Sequence, residues 1–306
     1  MHKLPELTVD KPPRILVDRR KALGDLIMIT PVLHELRRRY PDGYIQLVTE
    51  ELDVFDGNPS VDSVVKPTGM RKEDPWDLYI NLNDAYELNP KSHFVDSYLH
   101  RAFGKDIADI DRTLRLYESD EERETTRDII EQLSAPYVVV HMRRWAWENK
   151  NIDLQVWAGI ISILEHLWPD LKFVSVGAQH DYKLTGRDNW ISLNDDLSLG
   201  QIKCLIAGAK AFMGSDSGPF HIAGTTNTPI VAMLSHVMPQ HILPWRNGKF
   251  GDRVWVSQST VECVGCYSRQ QTPVRQLTCE NKEQWACNKN FSGDDIVAHF
   301  QEIMKL

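Results

Sequence analysis

The chain has 306 residues, of which 42% are hydrophobic and 25% are charged, and its formal net charge at pH 7 is −8. This composition excludes a disordered chain, and the length suffices for two domains with separate cores. The negative net charge disfavours nucleic acid as a partner, because it supplies no general attraction for a phosphate backbone. The sequence has neither a secretion signal nor the roughly 20 consecutive apolar residues of a membrane span. We therefore predict a cytoplasmic protein with at most peripheral membrane contact.

The first part of the chain alternates short apolar segments with amphipathic or polar ones. Strands are predicted at 14–18, 44–49, 63–65 and 76–82, and a helix is predicted at 26–40. This alternation is typical of a parallel sheet. A highly charged segment at 118–133 suits an exposed helix, and the Ser-Ala-Pro sequence that follows interrupts the pattern. We place a domain boundary there, so that residues 1–133 form the N-terminal domain.

The remainder, residues 134–306, repeats the same alternation. Strands are predicted at 137–141, 172–176, 210–213 and 229–233, and helices at 154–167, 199–209, 219–226 and 294–306. The predicted fold class is α/β, with two Rossmann-like, doubly wound domains facing a cleft. Ligands of such sheets bind beyond the carboxyl ends of the strands. This rule places Asp25 and Asp216 on the cleft side.

The turn Gly214-Ser-Asp-Ser-Gly-Pro219 joins a predicted strand to a predicted helix. Its small residues allow a ligand to approach the backbone, Pro219 suits the first helical turn, and the free amides behind Asp216 point outward. These features predict an anion site. Taken alone, the segment is better explained as an ordinary capped turn.

A second turn, Ala22-Leu-Gly-Asp25, also follows a strand and opens a helix. Asp25 at such a place is often a helix cap. Because its carboxylate faces the same cleft as the anion site, however, it is also the strongest candidate for a general base that removes a proton from an attacking hydroxyl.

These two turns carry a family resemblance. Arg14-Ile-Leu-Val17 with Ala22-Leu-Gly-Asp-Leu-Ile-Met-Ile-Thr-Pro-Val-Leu33, and Gly214 to His221, resemble the ADP-heptose heptosyltransferases of glycosyltransferase family nine. The resemblance extends over most of the chain. It implies the GT-B fold, a sugar-nucleotide donor in the C-terminal domain, and a saccharide or protein acceptor in the N-terminal domain. It also implies inversion at the anomeric carbon, with Asp25 as base.

The resemblance further implies which residues bind the donor. Lys150 begins a segment similar to the family's pattern of lysine, Trp-Pro, Glu and Trp-Ala, although Ile152-Asp153 replaces the Trp-Pro pair, and Asp181 falls where the family binds the ribose. No divalent metal ion is required for transfer, because a lysine and helix amides can stabilise the diphosphate. The predicted donor-binding residues are Gly24, Arg143, Lys150, Asp181, Asp216, Ser217, Gly218, Pro219 and His221. The alternatives are a solvated lysine at 150, a surface arginine at 143 and a histidine packed against the sheet at 221.

Four of the five cysteines, namely Cys263, Cys266, Cys279 and Cys287, lie in one segment with the spacing C-x2-C-x12-C-x7-C. Without a secretion signal, reduced thiols or metal ligation explain them better than disulfides do. Four thiolates can bind zinc or iron tetrahedrally, and such a closed site would be structural. Only the first pair has a spacing that strongly indicates a metal ligand.

Two other functions remain compatible with the sequence. One keeps the fold but uses another sugar nucleotide, or a protein, another glycan or a modified nucleobase as acceptor. The other is a sugar-nucleotide-binding or glycan-binding module without turnover, against which the joint presence of Asp25, Lys150 and Asp216 argues. Arg37-Arg-Arg39, near the end of the first helix, suits either an anionic lipid or core saccharide, or a helix dipole.

Overall fold

The structure is a computed structural model that describes residues 11–70, 75–274 and 277–306. The first ten residues of the predicted N-terminal domain therefore lie outside the described residues. A first parallel sheet comprises β1 (Arg14–Asp18), β2 (Tyr44–Val48), β3 (Ser63–Val65) and β4 (Leu78–Asn81), in the order β3-β2-β1-β4. All four strands were predicted, with ends that differ by at most two residues.

The helices beside this sheet are α1 (Leu23–Met28), α2 (Thr30–Arg39), α3 (Phe94–Phe103) and α4 (Asp120–Leu133). The prediction of one helix over 26–40 is wrong, because the chain forms two helices that meet at Ile29. Pro31 lies at the start of α2, where its missing amide hydrogen is tolerated. The first helix also begins earlier than predicted. Asp25 is therefore the third residue of α1 and not part of the preceding turn.

A second parallel sheet contains β5 (Tyr137–His141), β6 (Lys172–Ser175), β7 (Trp190–Ser192), β8 (Ala211–Gly214), β9 (Ile230–Leu234) and β12 (Val254–Gln258). Its order is β12-β9-β8-β5-β6-β7, and a small hairpin of β10 (Trp245–Arg246) and β11 (Lys249–Phe250) stands apart from it. The sequence analysis missed β7 and β12. Both lie at the sheet's edges and are only partly buried, so they lack the apolar runs of the central strands.

The helices of the second half are α5 (Leu154–Leu167), α6 (Leu199–Ala207), α7 (Gly218–Ala223), α8 (Pro239–Ile242) and α9 (Gly293–Ile303). The predicted bounds of α5 are confirmed. The charged helix α4 begins with a capping box at Ser119 and Glu122, and it packs against α6. The Glu122 carboxylate accepts a hydrogen bond from Ser198, which caps α6. The last helix before the predicted boundary thus contacts the second sheet's layer.

The strand orders locate the ligand site. In the first sheet β1 lies between β2 and β4, and in the second sheet β5 lies between β6 and β8. At both places the direction of the crossovers reverses, and such switch points leave a crevice at the carboxyl ends of the strands. The central strands are fully buried, as Val17 and Val139 illustrate, so the segments that follow them are held rigidly. Within the described ranges, no helix combines the length and the apolar character needed to cross a membrane.

Candidate active site

A cleft with a volume of about 740 Å³ separates the two sheets, and both halves of the chain line it. Most of the predicted site residues lie on its walls, namely Gly24, Asp25, Arg143, Lys150, Asp216, Ser217, Gly218 and His221. Pro219 and Asp181 are not part of this lining. The two turns singled out in the sequence therefore face the same space.

Glycine is needed where α1 and α7 approach each other. A Cβ atom added to Gly24 would lie 2.7 Å from Cδ2 of His221, and one added to Gly218 would lie 2.5 Å from Cδ2 of Leu23. Both distances are far below van der Waals contact. The absence of side chains at these two positions lets the turns from opposite halves come together.

Asp25 is 6% exposed and is held by partners from its own half. Its Oδ2 accepts a hydrogen bond of 2.5 Å from Arg19 Nη2, and the Tyr86 hydroxyl lies 3.5 Å from the same oxygen. Burial alone would lower the pKa of Arg19, but the adjacent Asp25 charge reverses this and the net shift is upward. The helix has no side-chain cap, so the interpretation of Asp25 as a helix cap is wrong. The sequence analysis missed Arg19, although its place directly after β1 follows the strand-end rule.

Opposite Asp25, the second half contributes a buried ion pair. Lys150 Nζ lies 2.5 Å from Asp216 Oδ2, and His221 Nε2 lies 3.6 Å from Asp216 Oδ1. Burial would raise the pKa of Asp216, but Lys150 and His221 outweigh it, and the pKa is lowered well below its usual value. Lys150 therefore is not a freely solvated surface lysine. Its side chain is 24% exposed and lines the cleft.

His221 is almost fully buried and lines the cleft against Gly24. Its Nδ1 has no hydrogen-bond partner among the residues that the structure describes. An unpaired buried ring nitrogen costs free energy unless a ligand or water satisfies it.

Asp181 is not among the residues that line the cleft, but it lines a neighbouring pocket that shares Trp145 and Ala146 with the cleft. Its carboxylate accepts hydrogen bonds from the backbone amides of Arg144 and Ala178, both at 2.8 Å, and lies 3.1 Å from His141 Nε2. His141 Nδ1 in turn lies 2.9 Å from Ser217 Oγ. Burial opposes the downward shift in the pKa of Asp181, but His141 and the two amides outweigh it. The ribose-binding role of Asp181 stays a prediction, and the structure adds His141 as the link between Asp181 and Ser217.

The predicted arginines differ in their contacts. Arg143 lines the cleft, but its guanidinium donates to Ala146 O and to Asn151 Oδ1, so it organises its own loop. Burial lowers the pKa of Arg143, although Asp216 and Asp181 oppose this shift. The run Arg37-Arg-Arg39 lies outside the cleft lining, and its side chains pair with Asp62 and Glu35.

The N-terminal side of the cleft carries further residues that the sequence analysis missed. They are Lys21, Glu50, Glu51, Tyr86, Glu87 and Phe94, and Tyr267 joins them from the cysteine-rich segment. Glu50 and Glu51 follow Thr49 just after the end of β2, so the strand-end rule could have indicated them. Nothing local in the sequence indicates the other side chains, because they depend on how a long loop and a distant segment meet.

All four clustered cysteines line one small cavity of about 10 Å³. Burial, and then the neighbouring thiols Cys266, Cys263 and Cys279, raise the pKa of Cys287 to about 12. Two sulfur atoms accept N–H hydrogen bonds, Cys263 from Asn281 at 3.4 Å and Cys279 from Trp285 at 3.3 Å. Across the described ranges, however, no three Cys, His, Asp or Glu side chains are grouped so that they could hold a metal ion.

Solved structures share this architecture. The chain superposes on a family 9 glycosyltransferase from Veillonella parvula DSM 2008 with a TM-score of 0.73 and 16% identity, over 97% of this chain and 98% of that one. The iron-containing dodecameric glycosyltransferase TibC from enterotoxigenic E. coli H10407 gives a TM-score of 0.72 and 17% identity, over 98% and 78% of the two chains. The E. coli ADP-heptose lps heptosyltransferase II gives 0.67 and 16% identity, over 95% and 98%.

Two parallel sheets that meet at one cleft in this way define the GT-B fold. The model of glycosyltransferase family 9 (heptosyltransferase) matches residues 65–272, which is more than half of the chain. The chain belongs to this family. No curated protein sequence matches it.

Proposed function

We propose that the protein transfers a heptose, or a closely related sugar, from an ADP-sugar to a hydroxyl group of an acceptor, with inversion at the anomeric carbon. The observation that carries this proposal is the pairing of Lys150 with buried Asp216 directly across the cleft from Asp25. Two similar structures support the donor: TibC is described in complex with ADP-D-beta-D-heptose, and WaaC of E. coli with ADP-2-deoxy-2-fluoro heptose. The cytoplasmic location stays a prediction.

In the proposed mechanism, Asp25 accepts the proton of the attacking hydroxyl while the acceptor oxygen bonds to the anomeric carbon. The bond from that carbon to the diphosphate oxygen breaks, and ADP leaves on the opposite face, which inverts the configuration. Arg19 and Tyr86 hold the Asp25 carboxylate in place for this step. Lys150 offsets the negative charge that develops on the leaving diphosphate, as preorganised cations do in such sites.

A thermal-shift series over sugar nucleotides tests the donor. ADP-heptose at about 100 times its dissociation constant is expected to stabilise the folded protein by about 2.7 kcal/mol, because it binds only the folded state. ADP-glucose, UDP-glucose and GDP-mannose serve as comparisons. Stabilisation by a uridine or guanosine nucleotide in preference to ADP-heptose would contradict the proposed donor.

We also propose that the four clustered cysteines bind one structural zinc or iron ion, which would draw together thiols that are not grouped for metal ligation in the described structure. Their thiols are the donor set of such sites, they share a cavity, and the similar TibC is described as iron-containing. Elemental analysis of protein purified without chelator is expected to find about one such ion per chain. Cys287→Ser should lower that content and the melting temperature, whereas Cys204→Ser, outside the cluster, should change neither. Metal-free wild-type protein would end this proposal.

A further inference from the structure

The cleft contains polar atoms that the proposed mechanism does not use. Besides Nδ1 of His221, the hydroxyl of Tyr267 and Oε2 of Glu87 are buried without a hydrogen-bond partner among the described residues. Both residues line the cleft, and Tyr267 is only 4% exposed. Buried polar atoms are normally satisfied, so two unsatisfied ones on the same wall of a cleft indicate a polar ligand.

Tyr267 lines the cleft within reach of the charges of carboxylates from both halves of the candidate active site. Burial, and then the charges of Glu87, Asp25 and Asp216, raise the pKa of Tyr267. The phenol therefore stays protonated at neutral pH and is available as a hydrogen-bond donor. Burial first, and Asp25 second, also raise the pKa of Glu87. The two groups thus offer a donor and an acceptor beside the candidate base.

Aromatic rings complete this wall. The ring of Tyr86 stacks on that of Phe94 with centroids 4.3 Å apart, and the Tyr267 ring meets Phe94 edge-on at 5.5 Å. Tyr86 also reaches Asp25 through its hydroxyl. A surface of this kind accommodates the C–H face of a sugar ring, while its polar atoms bind the hydroxyl groups.

The cysteine-rich segment brings Tyr267 to this place. Tyr267 follows Cys266 directly, and the amide of Gly265 donates to His236 O at 3.1 Å. Further along the segment, the amide of Val274 donates to Glu87 O at 2.9 Å, which ties the segment to the opposite half. The segment therefore crosses the cleft. Through this hydrogen bond, Tyr267 and Glu87 become parts of one wall of the cleft.

The charges of this wall select among acceptors. On the N-terminal side of the cleft, Asp25 and Arg19 neutralise each other, which leaves the carboxylates of Glu50, Glu51 and Glu87 against the ammonium of Lys21. An anionic acceptor would meet net repulsion at short range in a partly desolvated site. An uncharged, hydroxyl-rich ligand would satisfy the free atoms without that cost.

We infer that Tyr267, Glu87 and the Tyr86–Phe94 pair form an acceptor subsite for an uncharged saccharide, with the cysteine-rich segment as one of its walls. This inference rests on the proposed sugar transfer, and it names the acceptor class for the same cleft. The Tyr267 hydroxyl donates to a saccharide oxygen, and Glu87 accepts from a saccharide hydroxyl next to the one that Asp25 deprotonates.

Ligand-observed NMR in the presence of saturating ADP tests the subsite, with a mixture of the methyl glycosides of glucose, galactose and mannose as probe. We expect at least one glycoside to bind, and glucose 6-phosphate to bind more weakly than methyl glucoside. Tyr267→Phe and Glu87→Gln should each weaken glycoside binding about tenfold, because the first removes the hydrogen-bond donor and the second replaces a charged acceptor with a weaker neutral one, and both should leave ADP binding unchanged. Tyr137→Phe, which removes a buried hydroxyl outside the cleft lining, is the matched control and should bind like wild type.

Three results would overturn the inference: no glycoside binding by wild type that binds ADP, tighter binding of the phosphorylated sugar, or wild-type glycoside binding by both Tyr267→Phe and Glu87→Gln. If one variant fails to fold, as judged by its melting transition, the other still decides. Absence of ADP binding by the wild type would instead contradict the proposed function.

Discussion

Replacing Asp25 with Asn is expected to lower kcat for sugar transfer by about 10²- to 10⁴-fold, the usual contribution of a general base. The Asn side chain has the same shape and can still accept a hydrogen bond from Arg19, but it cannot take the proton of the attacking hydroxyl. The affinity for ADP-heptose should be unchanged, because Lys150 and Asp216 lie on the opposite side of the cleft. Release of ADP in the presence of a saccharide acceptor gives the rate, and calorimetric titration gives the affinity.

Asp18→Asn is the matched control for this experiment. Asp18 is a buried carboxylate at the end of β1, paired with Arg20, and it does not line the cleft. Its substitution should leave kcat close to that of the wild type. Glu87 is the rival base, since it lies in the same cleft. If Asp25→Asn kept a near-normal kcat and Glu87→Gln lost most of its kcat, Glu87 and not Asp25 would be the general base.

Replacing Lys150 with Ala is expected to weaken ADP-heptose binding by roughly 10- to 100-fold, which corresponds to about 1.5–3 kcal/mol for a hydrogen bond to a charged group. Two effects act in the same direction. The diphosphate loses a cation, and the buried Asp216 carboxylate loses the partner that lies 2.5 Å away, so that its charge repels the donor. Titration with ADP-heptose and with ADP measures the change.

Lys203→Ala separates this effect from the general loss of a buried ammonium. Lys203 is comparably buried and pairs with Glu118, but it lies away from the cleft. Its substitution should leave donor affinity unchanged. If Lys150→Ala and the wild type bound the donor with equal affinity, the Lys150 ammonium would not contact the diphosphate. The ion pair of Lys150 with Asp216 would then have only a structural role.

Much of the fold was predictable because it depends on local pattern. The apolar runs of β1, β5 and β8 indicate buried parallel strands, and the strand-end rule then placed Asp25 and Asp216 at the same cleft. The prediction of a single helix over 26–40 was wrong because the two helices share one apolar face. The break between them therefore leaves the hydrophobic periodicity of the sequence unchanged. The edge strand β12 was not predicted because it is only partly buried.

The sequence by itself determined the two parallel α/β layers, the family resemblance, and the placement of the glycine-containing turns at Gly24 and Gly218 at strand ends. Strand propensity and helix starts are local properties, so they can be inferred from neighbouring residues. Tertiary structure alone decided that Arg19 holds Asp25, that Asp181 turns toward His141, and that the segment carrying Tyr267 is hydrogen-bonded to the Glu87 backbone. These contacts depend on side-chain direction and on how two separately built sheets and a long crossing segment meet, and no periodicity in the chain records that arrangement.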